Sequence, residues 1–261
     1  MLSVSSLTIR FPDHPTPVVH DVTFTLDSGE ILGLVGESGS GKTLTALAAA
    51  GLIHHRHAVV SGQVLQNGHN LLDTKPGALR HVLGTEIGMV FQEPQSSFNP
   101  LIPIGKQIAE VLRLHTPLSP AERKAHVLSA LTDVGIEHPL RVWGQYPHEL
   151  SGGMRQRAML AAATLQNPRL LICDEPTTAL DVTTSGQIIQ LLRQLNETHG
   201  TAILFITHDL RLVERLCHRV MIMQAGKIVE QGDVSAVFSN PSHDYTRSLL
   251  RSRVRKRGDQ V

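Results

Sequence analysis

Cysteine is nearly absent from this chain: Cys173 and Cys217 are the only two among 261 residues. Neither has a partner at metal-like spacing, which excludes a disulfide framework and a cysteine-based metal module. Two lone thiols with no leader-like segment imply a reducing cytoplasm, and Cys173, at the end of an apolar run, reads as a packed apolar residue. Long hydrophobic runs are missing too. The longest apolar stretches, Leu44 to Ile53 and Met159 to Leu165, are too short and broken to span a bilayer. A soluble protein is expected, with any membrane role arising through partners. Charge of one sign is also lacking: 24 Lys and Arg face 23 Asp and Glu, a net charge of +1. Nothing global therefore attracts nucleic acid. Only Arg251, Arg253, Arg255, Lys256 and Arg257 form a basic run. It reads as a solvated terminus, with contact to anionic lipid head groups as the sharper alternative. Fifteen histidines are present but scattered. The group His54, His55 and His57 reads as a polar loop rather than a metal site. No internal repeat divides the chain in two.

What is present is a 41% hydrophobic sequence, enough for one large core or a core with a subdomain. Its sharpest local feature is Gly36-Glu37-Ser38-Gly39-Ser40-Gly41-Lys42-Thr43. This stretch follows the apolar run Ile31 to Val35 and precedes the helix-forming Leu44 to Ala50. Strand, glycine-rich loop and helix start give the pattern G-x-x-x-x-G-K-[ST] in its expected context. Phosphate needs donors and positive charge at close range. The three glycines let backbone N–H groups turn inward, Lys42 supplies a full charge, and Thr43 offers a hydroxyl to Mg²⁺. The pattern alone arises by chance in roughly one chain in a hundred of this length.

Further along, alternation and punctuation predict strands at Leu2 to Ile9, with imperfect alternation, and at Val22 to Leu26. An edge strand is expected at Gly62 to Leu65 before an Asn67-Gly68 turn, and a buried strand at Ile87 to Phe91. From Pro94 to about Leu165 the prolines multiply and helical periodicity appears. Ile104, Ile108, Val111 and Leu112 share one face, and Ser119-Pro120-Ala121-Glu122 starts another helix. Strands at 170–173, 203–207 and 219–223 then alternate with helices at 184–198 and 210–216, a βαβ rhythm. A hairpin is expected over Val220 to Val229, with Gly226-Lys227 in its turn.

Four more segments fall in a telling order. Leu150-Ser151-Gly152-Gly153 opens a helix running through Leu165. Leu170 to Glu175 is an apolar strand ending in Asp174-Glu175. Asp181 closes Pro-Thr-Thr-Ala-Leu-Asp, and Ile203 to His208 is a strand ending in Thr-His. With the phosphate loop, this order resembles the ATP-binding cassette (ABC) ATPases from about Leu2 to the end of the chain. Such a likeness implies an α/β phosphate-loop NTPase cassette. It would have a mostly parallel core sheet (about 1–93 and 166–235), an N-terminal antiparallel β subdomain, an inserted helical subdomain (about 94–165) and a tail (about 236–261).

The resemblance also assigns roles. Gly36 to Thr43 would bind ATP, with Phe11 stacked on adenine or simply packed at its strand edge. Thr43, Gln92 and Asp174 would hold Mg²⁺. Glu175 would be the general base, assisted by His208 and Gln92. Ser151, Gly152 and Gly153 form a second helix start suited to an anion. In the family, that end and Asp181 close on the nucleotide of an opposing cassette, so ATP joins two cassettes and hydrolysis parts them.

Finer details resemble the dipeptide, oligopeptide and nickel importer ATPases: Phe91-Gln92-Glu93-Pro94 with Phe98-Asn99-Pro100, Ser-Gly-Gly-Met-Arg-Gln-Arg, and the tail Asn240 to Thr246. Asp244 stands where that group usually has proline. A cysteine-bearing extension found in many longer peptide-importer members is not seen, and the short length, Phe98-Asn99-Pro100-Leu101 and Ile228 to Val234 resemble the nickel-type subunits slightly more. The implied partners are two transmembrane permease subunits, a second ABC ATPase chain with a heterodimer favoured, and an extracytoplasmic solute-binding protein, but no nucleic acid. The implied location is the cytoplasmic face of the membrane, peripherally bound. A permease helix is expected to dock near Gln92 to Pro103, against Phe98 and Leu101. Two other readings stay open: a soluble cassette ATPase of DNA repair or translation, and a cassette that binds ATP only as a structural partner.

Overall fold

A computed structural model describes residues 1–53, 58–93, 97–178 and 180–258, with side chains described through Arg251. The His54, His55 and His57 group and the basic side chains from Arg253 onward lie outside the described part. The chain clusters into two compact units, Met1–Lys75 with Ala202–Val261, and Pro76–Thr201.

The first unit opens with β1 (Leu2–Arg10) and β2 (Val19–Leu26), paired antiparallel with Leu2 opposite Leu26 and Val4 opposite Phe24. The imperfect alternation of β1 has a cause. Its register shifts between Val4 and Leu7, and Ser6 sits at φ 49, so a bulge returns Leu7 and Ile9 to the buried face. Next come β3 (Ile31–Val35), α1 (Lys42–Ala49), β4 (Val59–Gln66) and β5 (His69–Asn70). The antiparallel sheet runs β2-β1-β4-β5. The segment expected to be an edge strand is therefore interior. After Asn67 and Gly68, both left-handed, the chain adds a two-residue strand outside it.

The second unit contains α2 (Pro76–Val82), β6 (Ile87–Val90), α3 (Ile104–His115), α4 (Pro120–Asp133), α5 (Pro139–Gly144), α6 (Gly152–Thr164), β7 (Leu170–Asp174) and α7 (Val182–His199). Strands β6 and β7 pair in parallel, from Ile87 opposite Leu170 to Val90 opposite Cys173. Helix α3 buries Ile104, Ile108 and Leu112 and packs on α4, α5 and α6. Ser119 and Glu122 form a reciprocal capping box at the start of α4, with Pro120 in its first turn.

The chain returns to the first unit with β8 (Ala202–Thr207), α8 (Leu210–Leu216), β9 (Arg219–Gln224), β10 (Lys227–Asp233), α9 (Val234–Ser239) and α10 (Asp244–Gly258). Strand β3 lies between β8 and β9, parallel to both, and β9 pairs antiparallel with β10. All residues of β3 and β8 are buried, as expected of parallel strands covered on both faces. Gln224 faces Lys227, so the hairpin turn is Ala225-Gly226, at φ 46 and 81. The expected turn at Gly226-Lys227 is displaced by one residue, because an alanine occupies a left-handed position that usually goes to Asn, Asp or Gly. Among the described residues no helix is long and apolar enough to cross a membrane.

Glu230 on β10 fastens the approach to α10. Its carboxylate accepts from the Ser242 N–H (2.7 Å), the Ser242 hydroxyl (2.8 Å) and the His243 N–H (3.1 Å). Burial pushes this carboxyl up, but the nearby Thr246 hydroxyl and the hydrogen bonds from Ser242 and His243 outweigh it and pull it from 4.5 to about 2. A depressed carboxylate stabilises the fold fully above its unfolded value and loses that contribution as pH falls through the folded one. Glu230 should therefore stabilise the chain fully above about pH 4.5 and progressively less toward pH 2. A melting series across that window should show a shallower acid loss in Glu230→Gln than in the wild type.

Candidate nucleotide site

The loop after β3 is drawn tightly against β9. A Cβ on Gly36 would lie 2.2 Å from the Met223 carbonyl oxygen and 2.7 Å from Ser40 Oγ, so no side chain fits there. Gly41, at φ 105, is the N-cap of α1 and offers no capping side chain; the first turn holds no acidic residue. By contrast, Ser119, Ser151, Asp181 and Asp209 cap α4, α6, α7 and α8 with their own oxygens. The start of α1 thus presents its amides and the positive end of its dipole to an outside acceptor. Ser40 Oγ is buried and has no hydrogen-bond partner among the described residues. Lys42 is buried, and its Nζ donates to the Gly36 carbonyl (2.9 Å) and the Glu37 carbonyl (2.8 Å). Thr43 is exposed beside it. A cation, an uncapped helix start and a waiting hydroxyl fit a polyphosphate.

In the same unit, Phe11 follows β1, half-buried, with its ring edge-on to His14 at 6.3 Å. His208 follows β8 and is exposed. Next to it, Asp209 caps α8 and pairs with Arg211.

The second unit holds the acidic pair. Asp174 ends β7 and is buried. Glu175 follows in a left-handed conformation, φ 45, which costs a non-glycine residue on the order of 1 kcal/mol or more. A tight turn sustains it: Thr178 N–H donates to the Glu175 carbonyl at 3.1 Å. The Thr178 hydroxyl donates to Glu175 Oε2 at 2.7 Å, and Gln92 Nε2 reaches the same oxygen at 3.4 Å. Gln92 and Glu175, 83 positions apart, are brought together. Neither the strained backbone nor the Thr178 contact had a signal in the sequence.

Ser151 caps α6, its Oγ accepting from the Met154 N–H at 3.2 Å, with Gly152 exposed at the first turn. Asp181 caps α7, accepting from the Thr184 N–H (2.9 Å) and hydroxyl (2.7 Å). Those two bonds, the backbone one first, hold its carboxyl below the usual range. Burial, aided by the charge of Asp174, pushes the Cys173 thiol far up, so it is inert packing. No cluster of three or more metal-ligating side chains occurs among the described residues. Of the two residues expected to face a partner, Leu101 is 82% exposed but Phe98 only 7%. Phe98 is therefore a packing residue, and its substitution would report on folding rather than docking. Gln107 holds the loop beside it, donating to the Asn99 and Ile102 carbonyls and accepting from the Asn99 N–H.

A buried strand, a glycine loop closed around a lysine and an uncapped helix start define a phosphate-loop nucleotide-binding protein. A family model described as "ABC transporter" matches residues 19–178, and the chain belongs to that family. It is an ATPase of the ABC type. It is 42% identical over 254 residues to the dipeptide transport ATP-binding protein DppD of Escherichia coli, covering 97% of this chain and 78% of that one. It is 48% identical over 253 residues to the peptidoglycan transport ATP-binding protein YejF of Agrobacterium fabrum. That match covers 96% of this chain but only 46% of the longer relative. Among solved structures, a dimeric post-hydrolysis state of the ATP-binding cassette MJ0796 bound to ADP and Pi matches with a TM-score of 0.81 at 27% identity. It covers 90% of this chain and 99% of that one.

Proposed function

We propose that this chain is the ATP-hydrolysing subunit of a binding-protein-dependent importer for peptides. The observation that carries the hydrolytic part is Glu175, held in a strained conformation beside Asp174 with its carboxylate fixed by Thr178 and Gln92. Strain of this kind persists where the surroundings over-determine it, and it gathers at functional sites. In this reading Gly36 to Thr43 bind the phosphates, Thr43, Asp174 and Gln92 hold Mg²⁺, and Phe11 meets the adenine. Magnesium, when bound, supplies charge neutralisation at the β- and γ-phosphates. Glu175 takes the proton of the attacking water, and His208 contacts the γ-phosphate. Ser151, Gly152 and Gly153, with Asp181 near the seam, close on the nucleotide of a second cassette. Nucleotide that favours the closed pair over the open one then drives the switch.

The cargo class rests on the relatives, one named for dipeptides and another for peptidoglycan. Two membrane-spanning permeases, a second ATPase chain and an extracytoplasmic binding protein complete the machine, with this chain peripheral on the cytoplasmic side. The cognate binding protein, purified with its natural ligand, should release a peptide detectable by mass spectrometry. Nickel or a nickel chelate in its place would overturn the peptide assignment.

Leu101, with half-exposed Ile102 beside it, is the apolar surface this reading gives to a permease helix. Leu101→Asp should cut ATP-driven uptake in vesicles at least about tenfold while basal ATP hydrolysis stays within twofold of wild type, since a charge in an apolar contact costs several kcal/mol. Unchanged uptake would remove this surface from the coupling route.

A further inference from the structure

The phosphate loop is touched from outside by a residue that its own motif does not contain. The Glu37 N–H donates to the Tyr245 hydroxyl at 3.1 Å. Tyr245 lies in the first turn of α10, 208 positions along the chain. The same peptide unit that offers this N–H carries the Gly36 carbonyl, which accepts from Lys42 Nζ at 2.9 Å. A trans peptide is planar, and its C=O and N–H point in opposite directions. One bond at each end therefore fixes the rotation of the plane: Lys42 holds the carbonyl and Tyr245 holds the amide. Hydrogen bonding of the N–H also polarises the carbonyl toward the ammonium.

Tyr245 is in turn held in place. Glu230 ties down Ser242 and His243, and His243 Nδ1 accepts from the Tyr245 N–H at 3.2 Å. Arg247 donates to the Pro241 and Ser242 carbonyls, closing the turn. The tyrosine is thus the tip of a braced segment.

We infer that Tyr245 is a positioning residue for nucleotide binding, setting the Gly36–Glu37 peptide plane that aims Lys42 at the phosphates. It acts through Lys42 and the loop, without touching nucleotide. The inference rests on the assignment of the Lys42 loop to nucleotide, which Lys42→Ala tests by itself.

The conservative variant Tyr245→Phe keeps the ring and removes only the acceptor. In the full-length chain it should weaken ATP binding, measured by equilibrium dialysis with Mg²⁺, about fivefold, the worth of one neutral hydrogen bond. Its melting temperature without nucleotide should fall by no more than about 2–4 °C, the worth of the same bond to the fold, while the upward shift produced by saturating the wild type with ATP should shrink. Glu230→Gln, which loosens the brace, should weaken ATP binding in the same direction. Tyr245→Phe with wild-type affinity and an unchanged ATP-induced shift would overturn the inference. So would wild-type ATP affinity accompanied by a lowered nucleotide-free melting temperature, since the hydroxyl would then support only the fold. If Lys42→Ala binds ATP as wild type does, the loop assignment itself fails; if Tyr245→Phe alone is silent, only the positioning role fails.

Discussion

Glu175→Gln should bind ATP normally and turn it over at least about a hundredfold more slowly, the low end of what a positioned general base contributes. The substitution is isosteric. The amide can still accept from the Thr178 hydroxyl, now 2.7 Å from Oε2, and its neighbour Gln92 is untouched. The turn that holds φ at 45 depends on the backbone bond from Thr178, which the change leaves alone. What disappears is a basic carboxylate able to take a proton from water. Binding and chemistry should therefore separate: unchanged ATP affinity, and a collapse in phosphate release. A variant releasing phosphate at near wild-type rate would remove Glu175 from the base role.

Lys42→Ala should lose ATP affinity by roughly two to three orders of magnitude. Charge-assisted hydrogen bonds to phosphate contribute about 1.5–3 kcal/mol each, and each 1.4 kcal/mol is a factor of ten. The lysine also organises the loop before any ligand arrives, through the Gly36 and Glu37 carbonyls. Its removal leaves those two acceptors to find water and frees the loop to rotate. Equilibrium binding of labelled ATP reads the result directly. Affinity equal to wild type would show that the triphosphate binds elsewhere.

Much of this architecture is legible in the residues, and the illegible parts have physical causes. Helix α8 falls at 210–216 and α4 starts at Ser119-Pro120, because cap, proline and periodicity agree there. Helix α2 gives no such signal: it buries none of its residues, so it carries no apolar stripe to read. The turn at Ala225 escapes because composition rules place glycine or asparagine at left-handed positions. The phosphate loop is legible because its chemistry is local, eight consecutive residues with every donor supplied by them. The support of Glu175 is not. Gln92, Glu175 and Thr178 meet only once β6 and β7 have paired, and a left-handed glutamate has no compositional mark. Tyr245 is the extreme case, a single hydroxyl brought to the loop by the folding of α10. Phe98 shows the opposite error: the family resemblance puts it on a docking surface beside Leu101, yet the ring is buried in the fold.

Central to the proposed mechanism is ATP bound at the Lys42 loop of one cassette and closed from the far side by the Ser151 helix of another. The most direct test is a structure of the assembled transporter carrying Glu175→Gln, trapped with ATP and Mg²⁺. Triphosphate density should lie against the Lys42 ammonium and the first amides of α1, with an opposing Ser151-Gly152-Gly153 helix start across the γ-phosphate. Closed cassettes with no nucleotide at the Lys42 loop, or nucleotide lodged elsewhere, would contradict that mechanism.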